Sequence, residues 1–267
     1  MNFEQIRMID DETRRVQLTY ELFHEEIRLN RSKAARVEFL TTVEYITRYL
    51  KPGDRILDIG AGAGEYSLYF ARMGYEVSAL ELSDSNIKAF RKKLRAEDNV
   101  DLVQGNALDL SRYESDHFDV VLLFDPLYHL QSIEDRRKCI SEAKRVCKPD
   151  GTIFFAFISN DMVILTEFSY RPDYFTAGDY DRESFRLEDF PFVFHTVDAA
   201  RTLLRETGIT ILHEVAADGA SELMEDKINA LDEEGYEQYL RYHRYICEKP
   251  EFLGMTNHLL FVGKKRK

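Results

Sequence analysis

A glycine-rich turn between two apolar runs is the feature that most constrains what this chain can fold into. Residues 55–64 read Arg-Ile-Leu-Asp-Ile-Gly-Ala-Gly-Ala-Gly, and the next apolar run, Tyr75 to Leu82, closes around Glu81. The pattern predicts a buried strand, a tight glycine turn that approaches a ligand, and a helix from Glu65 to Met73 ended by Gly74. In doubly wound α/β folds, this unit holds a nucleoside, and the acid after the second strand accepts bonds from the ribose hydroxyls.

The glycine spacing argues against a dinucleotide ligand, which leaves an NAD-dependent oxidoreductase as the weaker alternative. A dinucleotide turn reads G-x-G-x-x-G, and its third glycine would fall where the chain has Glu65, an acid that repels a pyrophosphate. The spacing Asp58-x-Gly60-x-Gly62-x-Gly64 instead resembles the first motif of class I S-adenosylmethionine-dependent methyltransferases. The cofactor of that family carries an ammonium and a sulfonium but no phosphate, so these acids are compatible with it.

Composition narrows the partners and the compartment. The 267 residues are 44% hydrophobic, which allows a sizeable core, and a net charge of −12 argues against nucleic acid as a partner. The sequence has no apolar run of about 18 residues and no apolar signal core near its start, so we expect no membrane association and a cytoplasmic location. Cys139, Cys147 and Cys247 lack a C-x-x-C spacing and are expected to be idle thiols.

The order of predicted elements matches the fold of the family. We expect an α/β fold with a seven-stranded Rossmann-like methyltransferase sheet, six strands parallel and an antiparallel seventh between the fifth and the sixth. Residues 1–51, helical mainly over Gln17–Leu50, are predicted to form an N-terminal helical cap. Residues 52–267 are predicted to form the methyltransferase domain, with insertions at 159–196 and 217–254.

Three short motifs resemble those of one bacterial subgroup within the family. The subgroup consists of small stand-alone methyltransferases whose substrates are largely unassigned. One departure is an aspartate where the subgroup has glycine at the start of its first motif. The motifs read Asp125-Pro126-Leu127-Tyr128-His129-Leu130, His195-Thr196 and Asn257-His258-Leu259-Leu260.

The resemblance implies S-adenosylmethionine as the cofactor, bound beyond the carboxyl ends of the first four strands. Asn106 stands where the family usually has an aspartate facing the adenine amine; the alternative is an ordinary turn residue. The predicted cofactor residues are Asp58, Gly60, Ala61, Gly62, Glu81, Leu82, Asn106, Ala107, Phe124 and Asp125.

A basic cluster before the first strand offers a cation for the cofactor's carboxylate. It comprises Arg28, Arg31, Lys33 and Arg36 in an otherwise acidic protein. Arginine pairs with a carboxylate through its two-pronged donor group, and we favour Arg31 or Arg36 for this role. The competing interpretation is a solvated helix face.

We expect methyl transfer to a small-molecule acceptor by in-line displacement at sulfur. Tyr128 is predicted to line the path of the methyl group, and His195 is a candidate base because histidine titrates near neutral pH. His129 is a further candidate, and each histidine could instead be a satisfied core residue. No resident metal is predicted.

Three other functions remain open at this stage. Asp125, Asn160 and Asp161 could hold Mg²⁺ against a diol, as in catechol-type O-methyltransferases. Asp125-Pro126-Leu127-Tyr128 is also similar to the Asp-Pro-Pro-Tyr motif of nucleobase amino-methyltransferases, but lacks its second proline. A catalytically silent adaptor that binds S-adenosylmethionine is the third.

The two insertions are rich in aromatic residues, and we predict that they jointly roof the acceptor pocket. A homodimer interface is the alternative, since tyrosine and phenylalanine are enriched there too. The aromatic residues concerned are Tyr170, Tyr174, Phe175, Phe194, Tyr236 and Tyr239.

Overall fold

A computed structural model describes residues 2–22 and 25–266 of the chain. The first region is helical, as predicted, although residues 23 and 24 of the predicted stretch lie outside the described part. A serine at position 32 begins the longest of these helices, where its hydroxyl accepts a bond from the N–H of residue 35. The helices are α1 (Phe3–Arg7), α2 (Glu12–Leu22), α3 (Glu25–Arg28) and α4 (Lys33–Thr47).

The sheet has the predicted topology, with one addition. Its strand order is β3-β2-β1-β4-β5-β8-β7, and β8 runs antiparallel between β5 and β7. A two-residue strand, β6, extends the sheet beside the end of β5 and was not predicted. The strands are β1 (Arg55–Ile59), β2 (Glu76–Glu81), β3 (Val100–Gln104), β4 (Phe118–Leu123), β5 (Cys147–Ser159), β6 (Phe194–His195), β7 (Ile209–Ala216) and β8 (His258–Lys265).

Helices cover both faces of the sheet because its central strands are apolar on both sides. The N-terminal α4 packs on one face together with α5, so it forms part of the sheet's own core. On the other face lie α7 and α10. The connecting helices are α5 (Glu65–Arg72), α6 (Asp84–Lys93), α7 (Ile133–Val146) and α10 (Val197–Glu206).

Both predicted insertions contain helices. The first contains α8 (Asn160–Tyr170) and α9 (Tyr174–Ala177), and the second contains α11 (Glu225–Asn229) and α12 (Glu233–Ile246). One face of α12 is buried, with Tyr236, Leu240 and His243 on it, the first two packed against α4.

The three cysteines are buried and free. Within residues 2–22 and 25–266, no helix combines the length and apolar character needed to cross a bilayer.

Candidate functional site

Hydrogen bonds to the neighbouring strand fix the turn after β1. The backbone N–H groups of Gly60 and Ala61 both donate to the carbonyl of Leu80, at 2.8 and 3.0 Å. Gly60 has a φ of +74°, and a Cβ atom there would lie 2.6 Å from the Cβ of Asp125. Only glycine fits at this position, since the backbone conformation is left-handed and the end of β4 passes so close.

Glu81 ends β2 directly beside this turn and is 2% exposed. Its Oε2 accepts a bond from the N–H of Gly62 at 2.8 Å, and its Oε1 accepts bonds from the N–H of Ser83 at 2.7 Å and the amide of Asn86 at 3.3 Å. Burial, together with the nearby charge of Asp125, raises the pKa of Glu81. A carboxylate has about four acceptor positions, so Oε2 can still accept bonds from a ligand hydroxyl.

Two small cavities meet at this turn. The strand-end cavity, of about 50 Å³, opens at the carboxyl ends of β2 and β3, and the turn cavity, of about 30 Å³, lies over the glycines. They share Gly60 and Asp125. Every predicted cofactor residue except the two arginines lines one or both of them: Asp58, Gly60, Ala61, Gly62, Glu81, Leu82, Asn106, Ala107, Phe124 and Asp125.

Acidic side chains dominate the surroundings of the turn. Asp58 and Glu81 are each 2% exposed, and Asp125, after β4, lines the turn cavity. Burial raises the pKa of Asp58 to about 6, although its Oδ2 accepts a bond from Ser67 at 2.6 Å. Glu65 also lines the turn cavity, at the first turn of α5. This concentration of carboxylates disfavours a phosphate and favours a ligand with positive charge.

Tyr20, which was not predicted as a site residue, contacts two residues that line the strand-end cavity. The hydroxyl of Tyr20, on α2, bonds to Asp125 and lies 2.7 Å from Nε2 of His129. Burial alone would raise the pKa of Asp125, but His129 and the bond from Tyr20 lower it. The Nδ1 atom of His129 is buried and has no hydrogen-bond partner among the described residues. His129 and Glu81 both line the strand-end cavity.

Asn106 is already engaged within its own loop. Its Oδ1 accepts a bond from the N–H of Leu108 at 2.9 Å, as a turn residue does. The amide also lines the strand-end cavity, where an oxygen with a second lone pair can accept from a ligand amine. Both of the alternatives stated for Asn106 are therefore compatible with its position.

Three adjoining cavities extend from the glycine turn toward the second insertion. The aromatic cavity, of about 30 Å³, shares Tyr66, Phe124 and Tyr128 with the turn cavity. It shares Glu38 and His258 with the polar cavity, which has a volume of about 210 Å³. Tyr128 thus lines both the turn cavity, where the predicted cofactor residues lie, and the aromatic cavity, which adjoins the larger polar cavity. Its role along the path of the methyl group stays a prediction.

Within the basic cluster, Arg28 borders the turn cavity, whereas Arg31 and Arg36, the two predicted partners of the cofactor's carboxylate, do not. Arg28 lines the turn, aromatic and polar cavities. Arg31 reaches the polar cavity and lies 3.3 Å from Glu225. The guanidinium of Arg36 lies over the ring of Phe39, 5.3 Å from its centre. Placement therefore favours Arg28, because only this arginine among the three borders the turn cavity.

His195 lies in a different environment from the one predicted. It is 5% exposed, with its Nε2 3.1 Å from Nη1 of Arg136 and its ring against Phe157. Burial and the charge of Arg136 lower the pKa of His195 to about 3. A neutral imidazole that accepts a bond from Arg136 is a structural group, and His195 does not line any of the four cavities.

The magnesium alternative receives no support from the placement of Asn160. Its amide nitrogen donates to Asp161 and to the carbonyl of Phe185, and its oxygen accepts from the N–H of Leu187 at 2.9 Å. Asn160 therefore holds the first insertion together. Neither Asn160 nor Asp161 lines the two cavities that Asp125 borders, so the structure does not bring the three proposed ligands to one cavity.

The insertions border these adjoining cavities, but mainly with charged groups and not with the predicted aromatic residues. Residues 218–225 of the second insertion form one wall of the polar cavity, opposite α4. The first insertion packs its aromatic cluster against Tyr128 and reaches the cavity wall through Tyr170, whose hydroxyl donates to Glu222 at 3.0 Å. Tyr236 points elsewhere, with its hydroxyl bonded to the carbonyl of Lys33 on α4.

Several residues at the site were not predicted, because their sequence signal is visible only against the apolar pattern of the surrounding helix or strand. Glu38 interrupts the largely apolar face of α4, and His258 begins an apolar strand within the Asn-His-Leu-Leu motif. A polar residue at a position with apolar periodicity is the signal that could have identified both. Tyr20 and Tyr66 carry no such signal, since tyrosine is common in helices that pack on a core.

The comparisons with known proteins agree with this geometry. Residues 57–155, from β1 into β5, match the family model described as "Methyltransferase domain". A demethylmenaquinone methyltransferase from Clavibacter sepedonicus is 34% identical over 126 residues, which is 46% of this chain and 50% of that protein. The chain thus spans about half the length of this curated relative.

Solved structures share the fold over most of the chain. The PH0226 protein from Pyrococcus horikoshii OT3 has a TM-score of 0.61 at 20% identity, with 93% of this chain and 99% of that one covered. Magnesium protoporphyrin IX methyltransferase from Synechocystis PCC 6803, solved with bound SAH (S-adenosylhomocysteine), has a TM-score of 0.55 at 15% identity, covering 90% and 85%. The family match and the shared fold support a class I methyltransferase that uses S-adenosylmethionine.

Proposed function

We propose that this chain transfers the methyl group of S-adenosylmethionine to a small-molecule acceptor. The observation that carries the proposal is the buried carboxylate of Glu81 beside the glycine turn, at the end of a strand whose neighbours line the same cavities. The acidic surroundings set by Asp58 and Asp125 suit a ligand with a sulfonium and an ammonium.

The cofactor would extend across the strand-end and turn cavities. Glu81 would accept bonds from the ribose hydroxyls, and Asn106 and the unpartnered Nδ1 of His129 would face the adenine. Asp58 would accept from the ammonium, and Arg28 would pair with the carboxylate at the methionine end. Each group would then meet a ligand group of complementary polarity.

Cofactor entry would require the N-terminal helices to move. The two cavities, of about 50 and 30 Å³, are much smaller than the roughly 300 Å³ or more of a typical ligand pocket. Val16, on α2, lines the strand-end cavity, and Tyr20, on the same helix, bonds to Asp125 and His129, which also line it. We therefore propose that α2 opens to admit the cofactor and closes over it, which would also exclude water.

The methyl group would leave toward the aromatic cavity. Tyr66, Phe124 and Tyr128 line this cavity and would align the acceptor with the sulfonium, and the polar cavity beyond them would hold the rest of the acceptor. The donor is already activated, so the protein's main contributions would be alignment and a dry site.

Calorimetry with the purified chain tests the cofactor assignment. We expect one molecule of S-adenosylmethionine or S-adenosylhomocysteine to bind per chain, and no saturable binding of NAD. Binding of NAD alone would replace the proposal with the oxidoreductase alternative.

A separate assay tests turnover. The chain is incubated with S-adenosylmethionine and a library of small polar and aromatic acceptors, and products that gain a methyl group are detected by mass spectrometry. Cofactor binding without any methylated product across the library would favour the silent adaptor.

A further inference from the structure

Three side chains bring metal-binding atoms together at the junction of the aromatic and polar cavities. Nδ1 of His258 lies 2.8 Å from Oδ2 of Asp218 and 3.3 Å from Oε2 of Glu38. All three ligand atoms lie within 4.8 Å of one another. Ligands that occupy adjacent positions around a first-row divalent ion, at bond lengths of about 2.1 Å, are separated by roughly 3 Å. The spacing therefore fits three ligands on one side of an ion.

The protein holds these groups in place from behind. Oδ1 of Asp218 accepts bonds from the backbone N–H groups of Asn257 and His258, at 3.0 and 3.1 Å, and from the hydroxyl of Thr256. Its other oxygen, Oδ2, is thereby directed at His258. Arg28 donates to Oε2 of Glu38 at 2.7 Å, so the oxygen that faces His258 is itself held in place and keeps a second lone pair for an ion. Such outer contacts orient ligands in metal sites.

The cluster is screened from solvent on one side and open to a cavity on the other. Its side chains are 13% exposed for Glu38, 7% for Asp218 and 22% for His258. The polar cavity beside them, of about 210 Å³, has room for water or for part of an acceptor. An ion held by three protein ligands would keep further positions open toward that space.

We propose that Glu38, Asp218 and His258 bind a divalent first-row transition metal ion, which in turn binds an oxygen or nitrogen atom of the acceptor. The ligand set of one imidazole and two carboxylates favours Mn²⁺, Fe²⁺, Co²⁺ or Zn²⁺ over Mg²⁺, which prefers oxygen alone. The role toward an acceptor rests on the proposed function, whereas binding of the ion does not.

Such an ion would activate the acceptor as a nucleophile, whereas Tyr128 and the aromatic cavity would only align it. A bound cation lowers the pKa of a coordinated hydroxyl or similar group, so the acceptor would lose its proton to solvent and become the better nucleophile. His195 would not be needed as a base. The chemistry implied is an acceptor whose methylated oxygen or nitrogen atom can itself bind the ion.

The direct test is Mn²⁺ binding to the chelator-treated full chain at pH 8. Binding is measured by electron paramagnetic resonance as the loss of the free-ion signal. We expect one Mn²⁺ per chain, and at least about tenfold weaker binding in Glu38→Gln and in His258→Gln. Absorption bands of bound Co²⁺ should change in His258→Gln, because a nitrogen ligand is lost.

The matched control is His213→Gln. His213 also pairs with a carboxylate, Glu248, at 2.8 Å, but lies outside the cluster. Its replacement should leave Mn²⁺ binding unchanged. Glu38→Gln is the more conservative variant, because Asp218 and His258 also hold the start of β8.

Two outcomes would overturn the proposal. One is the absence of saturable Mn²⁺ or Co²⁺ binding by the unmodified chain at millimolar concentration. The other is equal affinity in the unmodified chain, Glu38→Gln and His258→Gln, which would place the ion elsewhere. Calorimetry with S-adenosylhomocysteine on the unmodified chain and on His258→Gln reports on the proposed function separately, since His258 lines neither the strand-end cavity nor the turn cavity.

Discussion

Removal of the Glu81 carboxylate is the most informative perturbation of the proposed cofactor site. Each bond between a ligand hydroxyl and an ionised carboxylate contributes about 1.5–3 kcal/mol. In Glu81→Ala, we expect the affinity for S-adenosylhomocysteine to fall by roughly 10- to 150-fold for each bond lost, and by less where water replaces the carboxylate. Isothermal calorimetry at pH 7 measures this loss directly.

The same substitution also perturbs folding, for a reason visible in the structure. The N–H groups of Gly62 and Ser83 both donate to Glu81 and would lose their acceptor. Each unsatisfied buried donor costs about 1–3 kcal/mol, and part of that cost is offset because an unfavourably buried carboxylate is removed. Glu81→Gln keeps one acceptor oxygen, so it should lose less stability in urea unfolding and less affinity.

Glu76→Gln serves as the control, because Glu76 is exposed at the other end of the same strand. It should change neither affinity nor stability beyond about 0.5 kcal/mol. Unchanged affinity in a folded Glu81→Ala variant would refute the assignment of Glu81 to the ribose, and with it the observation on which the proposed function rests.

The raised pKa of Glu81 adds a dependence on pH. Burial and Asp125 favour its protonated form in the free chain, so its contribution to stability is present below its usual pKa and is lost as the pH rises. Ligand hydroxyls favour the ionised form, so binding should release protons. Calorimetry in two buffers of different ionisation enthalpy should show this release in the unmodified chain and not in Glu81→Ala.

Three other predictions follow from the same geometry. Arg28→Met should weaken binding of S-adenosylhomocysteine about tenfold or more but leave binding of methylthioadenosine, which lacks the amino acid part, unchanged, whereas Arg31→Met should affect neither in calorimetry. Tyr20→Phe should accelerate S-adenosylhomocysteine association in stopped-flow measurements, because the hydroxyl bonds that hold α2 closed are lost; slower association would contradict the opening of α2. The pKa of His195, lowered to about 3, implies stability that is present above its usual pKa of 6.5 and is lost as the pH falls, by about 2 kcal/mol at pH 5. Urea unfolding at pH 7 and 5 should show that loss in the unmodified chain and a smaller one in His195→Gln; equal losses would contradict it.

Local sequence was sufficient for the fold and for the cofactor side of the site. The strand, turn and helix around Gly60 follow from short-range rules, and the carboxyl ends of parallel strands always meet at one edge of a sheet. Residues as far apart in sequence as Asp58, Glu81 and Asn106 could therefore be placed together in advance. The adjoining turn and strand-end cavities that these residues line agree with that placement, while the roles of the residues toward a ligand stay predictions.

Tertiary structure alone decided the rest, because no local rule relates an insertion or a terminal helix to a strand end. The sequence offered three arginines for one carboxylate, and only the packing of α3 and α4 brings Arg28 to the turn. His195 looked like a base by its type, yet burial beside Arg136 holds it neutral. Glu38 and His258 are 220 residues apart, and contact between them depends on α4 packing over β8. Such long-range contacts arise from burial of apolar faces that many arrangements could satisfy, so the sequence pattern cannot specify which polar groups meet there.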